Sequence, residues 1–280
     1  VTSPRLAIDT DRGRYYEDPN PAFAGARYPS VTNVCGTAIA KPALTPWAAG
    51  EVAEYAFKQL PMIVKASEDP KQRAEAMKLI KGRARDIASK AADRGTRVHA
   101  YAEADLLGLT PPSVDPDVAL YVRQYRRFIK DFGVVPESVE ASEASVVNRT
   151  VGYAGTMDFL LWLLTDRSDK PELWLIDAKT SLKRPRTQTF PEHVFQLAAL
   201  RHAEHMWMPP GAEEPEVDMP MAARCGVLNL RQRGYALMEI DAGPKAFAAF
   251  RAALTVTKFL HALELPTGEV RPARVEKAVA

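Results

Sequence analysis

Asp177 and Lys179 stand two residues apart at the end of the apolar run in "ELWLIDAKTS". A strand there points both side chains to one face. An isolated buried charge is costly. The carboxylate and the ammonium therefore either neutralise each other as a structural ion pair or hold a cation and an anionic substrate between them. Other titratable residues follow the same theme. In "GTRVHAYAEAD", His99 and Glu103 are four residues apart and share a helix face. Glu143, with Glu140 nearby, lies in "ESVEASEASVVN", and "GTMD" delivers Asp158 to an apolar strand after Gly155, which allows close backbone approach. Carboxylates and one imidazole converging from a helix and three strands would make an oxygen-rich site for a hard divalent cation, Mg²⁺ or Mn²⁺. Such a cation polarises a phosphodiester and lowers the pKa of a bound water, while Lys179 steadies the attacking water or the charge growing on phosphate oxygens. Taken singly, each signal has an ordinary reading: an ion pair for Asp177 and Lys179, a satisfied histidine for His99, a solvated strand residue for Glu143.

The elements that must position these groups change character along the chain. The opening forty residues, rich in Tyr and Pro, read as extended and turn-rich, without helical periodicity. Thr45 and Pro46 signal a helix over about 46–60. A long helical region follows over about 69–108, with Gly82 and Gly95 as candidate breaks, and Asp115 and Pro116 start another helix that Gly133 ends. Beyond Gly133, "ESVEASEASVVN", "GTMDFLLWLL" and "ELWLIDAKT" read as three successive strands. A helix over about 190–207, a hairpin-like pair "AARCGVLNL" and "GYALMEI", and a last helix over about 244–263 complete the order. Residues 209–220 read as an acidic loop. The expected organisation is one domain: a mainly helical part over 1–135 that carries the His99 motif, a sheet core over 136–265 and a polar tail over 266–280.

Composition is that of an ordinary globular chain of 280 residues, 46% apolar and 26% charged, with a formal net charge of +2. That balance predicts neither a polybasic nucleic-acid binder nor a membrane-surface protein. Cys35 and Cys225 are too few for a disulfide framework or a four-cysteine metal site, and they suit a reducing cytoplasm as core thiols. The first residues show no signal pattern, and the longest apolar run, "FLLWLL", is far short of a membrane span. No G-x-x-x-x-G-K-[ST] loop is present, so no ATP-driven activity is expected of this chain. Trp47, Trp162, Trp174 and Trp207 read as core.

"GTMD", then a strand and turn, then "DAK", then a helix bearing Gln196 in "FQLAAL" resembles the PD-(D/E)XK nuclease superfamily, and "GTRVHAYAE" is similar to the His-containing helix motif of its RecB-like branch. The opening "YPSVTNV" followed by "KPALTPWA" resembles phage-borne members, so the matches span roughly residues 28–200. The resemblance implies an α/β fold with a restriction-endonuclease-like core, a central mixed β-sheet flanked by helices, behind a helical N-terminal part. It implies metal ligation by His99, Asp158 and Asp177, catalysis by Lys179, a supporting acid at Glu103, a second-metal or water-positioning acid at Glu143, and orientation of substrate or lysine by Gln196. The tyrosine of the branch's Q-x-x-x-Y motif is replaced by Leu200, and two cysteines cannot hold the four-cysteine iron-sulfur cluster of some members.

Basic residues provide the expected DNA contacts. Between Lys65 and Arg97 lie ten basic against five acidic side chains, running into the His99 motif, so Arg94 and Arg97 are candidates beside Lys183, Arg184 and Arg186 of "KTSLKRPR". The alternative for the long run is a solvated helix face with i,i+4 ion pairs. "YVRQYRRFIK" is a further basic-aromatic helix whose aromatic positions also fit core packing. The sequence reading is a Mg²⁺- or Mn²⁺-dependent DNA exonuclease for recombination, repair or phage DNA processing, in the cytoplasm of a bacterial host. Implied partners are DNA and a helicase, recombinase or single-strand annealing protein; oligomers, ring-shaped ones included, occur in the superfamily. The alternatives are a structure-selective or CRISPR-adaptation-type endonuclease, and a catalytically inactive nuclease-fold DNA-binding or interaction protein.

Overall fold

A computed structural model describes residues 6–209 and 212–263; the expected tail lies outside the described residues. Three short antiparallel strands, β1 (Ala7–Thr10), β2 (Gly13–Glu17) and β3 (Arg27–Pro29), open the chain and form a sheet of their own. They lead into helix α1 (Val31–Ala38), where no helix was expected. Its signals are present in the sequence: the Ser30 hydroxyl caps it by accepting from Asn33 N at 3.0 Å, and Val31, Val34 and Cys35 bury one face. Helix α2 (Leu44–Lys58) begins two residues earlier than its Thr-Pro signal, and a short α3 (Leu60–Ala66) follows, with Pro61 in its first turn.

Helix α4 (Pro70–Leu106) runs unbroken through Gly82 and Gly95. Asp69 caps it by accepting from Lys71 N at 2.7 Å, and Pro70 supplies the first helical φ. Only its C-terminal part, with Val98, Tyr101 and Ala102, enters the main core. Helix α5 (Pro116–Asp131) packs beside it and buries Tyr121, Tyr125 and Phe128, so the aromatic residues of "YVRQYRRFIK" are core.

The protein is α/β, with a central seven-stranded mixed sheet flanked by helices. Strands β4 (Val139–Asn148), β5 (Tyr153–Leu163) and β6 (Glu172–Thr180) form the antiparallel centre. Helix α6 (Pro191–Arg201) carries the chain over to β9 (Arg224–Arg231), which pairs parallel to β6 and turns back as β10 (Gly234–Glu239). The expected helix over 190–207 stops at Arg201; His205–Trp207 is instead β7, paired with β4, and β8 (Glu216–Asp218) emerges from the acidic loop to pair with β7. Helix α7 (Pro244–Ala262) closes the described chain.

One face of the sheet packs against α1, α6 and α7 through Val31, Leu197, Leu200, Phe250 and Leu254; the other packs against α4 and α5. Trp174 and Trp207 lie in the core, but Trp162 is 43% exposed and donates to Glu140 Oε2 at 3.1 Å, and Trp47 is half-buried, which corrects the expectation of four core tryptophans. Both cysteines are free and buried, and burial pushes their thiols up to about 12. Among the described residues no helix is long and apolar enough to cross a membrane.

Gly155 marks where helices press hardest on the sheet. A Cβ there would meet Leu200 Cδ2 at 2.9 Å and Val31 Cγ2 at 3.0 Å. Leu200, at the expected tyrosine position, is therefore a packing residue. Gly155→Val should lower stability by about 1–3 kcal/mol through overpacking, read as a reduced midpoint in thermal or urea unfolding. An unchanged midpoint would show that α1 and α6 do not press on β5 as described.

Candidate metal centre

The site forms where the sheet comes apart. The β5–β6 ladder runs from Leu163 and Glu172 to Phe159 and Ile176 and stops, while β6 stays paired with β9 as far as Thr180, so the next peptide groups of β6 that face β5 have no strand partner on that side. A buried unpaired backbone group costs about as much as a lost hydrogen bond. Side chains take over instead: Asp158 Oδ2 accepts from Ala178 N at 2.6 Å, and His99 Nε2 donates to Ala178 O at 3.0 Å.

The alternation of β5 also breaks at this point, since Met157 packs in one core cluster and Phe159 in the other. On β4, Glu143 lies between Ser142 and Ala144, which pair Phe159 and Met157, so it sits across from Asp158. Its φ is +48°, a left-handed conformation that a glutamate rarely adopts and that costs about 1–3 kcal/mol. The turn aims its carboxylate at the histidine. Glu143 Oε1 is 3.0 Å from His99 Nδ1, and Asp158 Oδ1 is 3.5 Å from the same nitrogen.

His99, Glu143 and Asp158 thus offer one ligand atom each, all within 4.8 Å of one another. With Nε2–H committed to Ala178 O, Nδ1 is the nitrogen that could hold a metal, an orientation typical of metal-bound histidine. Burial opposes charge on His99, but Asp158 and Glu143 outweigh it and raise the pKa to about 9. Burial pushes Asp158 upward, with Asp177 and Glu143 adding to the shift and His99 opposing it. Glu103 is raised by burial and by Glu143.

Asp177 is 1% exposed and sits beside this trio without joining it. Its Oδ1 accepts from Lys179 Nζ at 2.5 Å, while Oδ2 is buried and lacks a hydrogen-bond partner. Burial pulls Lys179 down, yet Asp177 and Asp158 outweigh it and hold the ammonium above its ordinary pKa. The compact trio therefore contains Glu143 where Asp177 was expected, and Asp177 pairs with the lysine. Two observations fit a hard divalent cation: the mixed oxygen and imidazole donor set, and the orphaned Asp177 Oδ2 close by.

Two clefts meet at Lys179. The larger, about 740 Å³, is lined by His99, Glu103, Glu143 and Lys179, and also by Asp9 and Arg14. The smaller, about 370 Å³, holds Lys179, Gln196, Arg184, His193 and Arg231. Gln196 thus shares a cleft with the lysine. Arg184 and Arg186 are exposed on the loop after β6, and Lys183, also exposed, pairs with Glu51 at 3.0 Å. Arg94 and Arg97 are placed differently. Arg94 is buried over the Tyr121 ring, and Arg97 is held by Asp93, Asp115 and Asp117, so neither guanidinium is free for phosphate.

Sequence reasoning missed Arg14 and Arg231. Arg14 forms a two-pronged pair with Asp9 across β1 and β2, far along the chain from every motif. Arg231 is 8% exposed and donates to the carbonyls of Lys179 and Arg184 and to Asn229 Oδ1, bracing the basic loop against the end of β6. No family model and no curated protein matches this chain.

A cation bound through Nδ1 competes with the proton that the carboxylates hold there. Because the His99 pKa is raised above its ordinary 6.5 to about 9, Mn²⁺ affinity should rise with pH across that window, by about tenfold per unit for one displaced proton, and level off above it. Calorimetric titration at pH 6.5, 7.5 and 8.5 reads this out. A flat profile, or one unaltered by His99→Ala, would remove the histidine from the ligand set.

Proposed function

We propose that this chain is a divalent-metal-dependent deoxyribonuclease of the PD-(D/E)XK type, with a restriction-endonuclease-like core, acting as an exonuclease at DNA ends. The observation that carries the reading is the convergence at one splayed strand end of His99, Glu143, Asp158 and the Asp177–Lys179 pair, drawn from α4, β4, β5 and β6. The order of elements supports it as well: a helix, three antiparallel strands, a helix and a strand that returns parallel to β6.

A divalent cation held by His99, Glu143 and Asp158 would polarise a phosphodiester and lower the pKa of a bound water. The chain's own groups complete the chemistry. Lys179, one-third exposed and charged, reaches into both clefts, where it can neutralise charge developing on phosphate oxygens. Asp177 fixes the ammonium, and Gln196 shares the smaller cleft with it. Arg184, exposed and lining this cleft, would hold the DNA backbone, with Arg186 exposed on the same loop as a further contact.

End-labelled linear DNA and a closed circle, incubated with Mg²⁺ or Mn²⁺, test the reading. The expected result is loss of the linear substrate alone, abolished by chelator and reduced at least about a hundredfold by Asp177→Ala or Lys179→Ala. Cutting of the circle would make the protein an endonuclease. Intact DNA under every metal, with folded protein, would leave the cluster as the structural part of a binding module.

A further inference from the structure

We propose that one open face of α4 is a duplex-DNA track that grips the phosphate backbone some distance from the metal centre. The proposal rests on the nuclease reading and names its substrate as double-stranded. Starting from His99 and moving toward the N-terminus in steps of three or four residues, the same face carries Gly95, Ala92 and Ala88, then Arg85, Lys81 and Lys78. The cavity of the metal centre is lined by the first part of this row, Ala92, Gly95 and His99. Arg85, Lys81 and Lys78 line an open depression further along the same helix, whose lining also includes Glu75 and Asp86.

The opposite face of α4 is committed to structure along its whole length. Ala76 is buried, Arg83 lies over the Tyr55 ring of α2, and Arg94, Val98 and Tyr101 are buried nearer the sheet. That packing leaves the basic row outward, with Lys78, Lys81, Arg85 and Ala88 all exposed. None of the three cations makes an ion pair among the described residues, whereas Arg97 and Lys58 on other faces and helices do. The acids Glu75, Asp86 and Asp93 fall on the adjacent row.

The row itself carries cations without acids, and the depression keeps three cations against the two acids Glu75 and Asp86. Cations at one end attract a polyanion, and alanines and glycine between them and the site let a bulky backbone lie close. No aromatic side chain stands on the row to stack unpaired bases, so it suits a duplex better than a single strand. At about 1.5 Å per residue, Arg85 lies about 21 Å and Lys78 about 32 Å from His99 along the helix. At about 3.4 Å per base pair, those contacts fall about 6 to 9 base pairs from the reacting phosphate.

The test compares Lys78→Gln/Lys81→Gln/Arg85→Gln with a control of equal charge change off the row, Lys65→Gln/Arg73→Gln/Lys90→Gln. Binding to DNA hairpins of 5 and 20 base pairs with one common loop is measured in chelator over a salt series. For the 20-base-pair hairpin the native protein should show the steeper salt dependence. The row variant should lose about 2.7 from the slope of log affinity against log salt, about 0.9 for each of three contacts, and at least tenfold in its preference for the long hairpin over the short one. The control should keep both. Equal losses in the two variants, or a full slope in the row variant, would overturn the track. Cleavage by native protein with an indifferent row variant removes the track and keeps the nuclease; a lost slope without hydrolysis under any metal does the reverse. Failure of the native protein to bind either hairpin removes the track outright.

Discussion

The peptide groups of Ala178 are the point on which the site depends. Its N–H and C=O lie just past the last paired residues of the β5–β6 ladder, in the interior, on the side of β6 that β5 no longer covers. Leaving both unpaired would cost about 1–3 kcal/mol each. Asp158 and His99 meet that demand from opposite sides, one accepting and one donating. The same bonds that repair the backbone thereby fix the free Asp158 oxygen and His99 Nδ1 close together. Two atoms that could hold a cation are brought together by finishing a sheet.

Charge balance follows from that placement. Without a cation, protonated His99 and Lys179 face Glu143, Asp158 and Asp177, which leaves one carboxylate uncompensated in the interior. The upward shift at Asp158 is the expected response, because burial disfavours a charge that no partner neutralises. A divalent cation in place of the His99 proton would let all three carboxylates ionise against it and Lys179. The strained φ at Glu143 belongs to the same account. Backbone energy is stored there to bring a third donor group to the histidine, and strain of this kind persists where the surrounding sheet over-determines it.

The main elements of the sheet core were legible because they follow strong periodicities. Strands β4 to β6 carry the expected residues of each motif, and α4 presents His99 and Glu103 to one cleft as their four-residue spacing requires. Other features were set by long-range packing. Helix α1 has a cap and a buried Val31–Val34–Cys35 face, but eight residues among prolines and tyrosines give too short a period to read. At the end of α6, β7 exists only because β4 offers an unpaired edge. Arg97 ends a basic run that suggests phosphate, yet Asp115 and Asp117 come from beyond a loop to claim it. Arg14 reaches the site through a register between β1 and β2, and no spacing to the motifs announces that.

Helix α4 shows how one element serves both stability and chemistry without conflict. Its buried side changes partners along its length, from α2 and α3 to α5 and the sheet, but stays on one side of the helix. The other side is consequently open from Lys78 to Ala92, before His99 turns to the sheet. Gly82 and Gly95 would each cost about 1 kcal/mol in such a helix relative to alanine, and the helix nonetheless continues through both. At Gly95 a Cβ would stand 3.6 Å from Thr180 Oγ1, at the end of the strand that carries Asp177 and Lys179. The glycine keeps the helix surface low where it passes the clefts, so an unbroken rod can hold His99 against Ala178 while its open face still runs outward from the site.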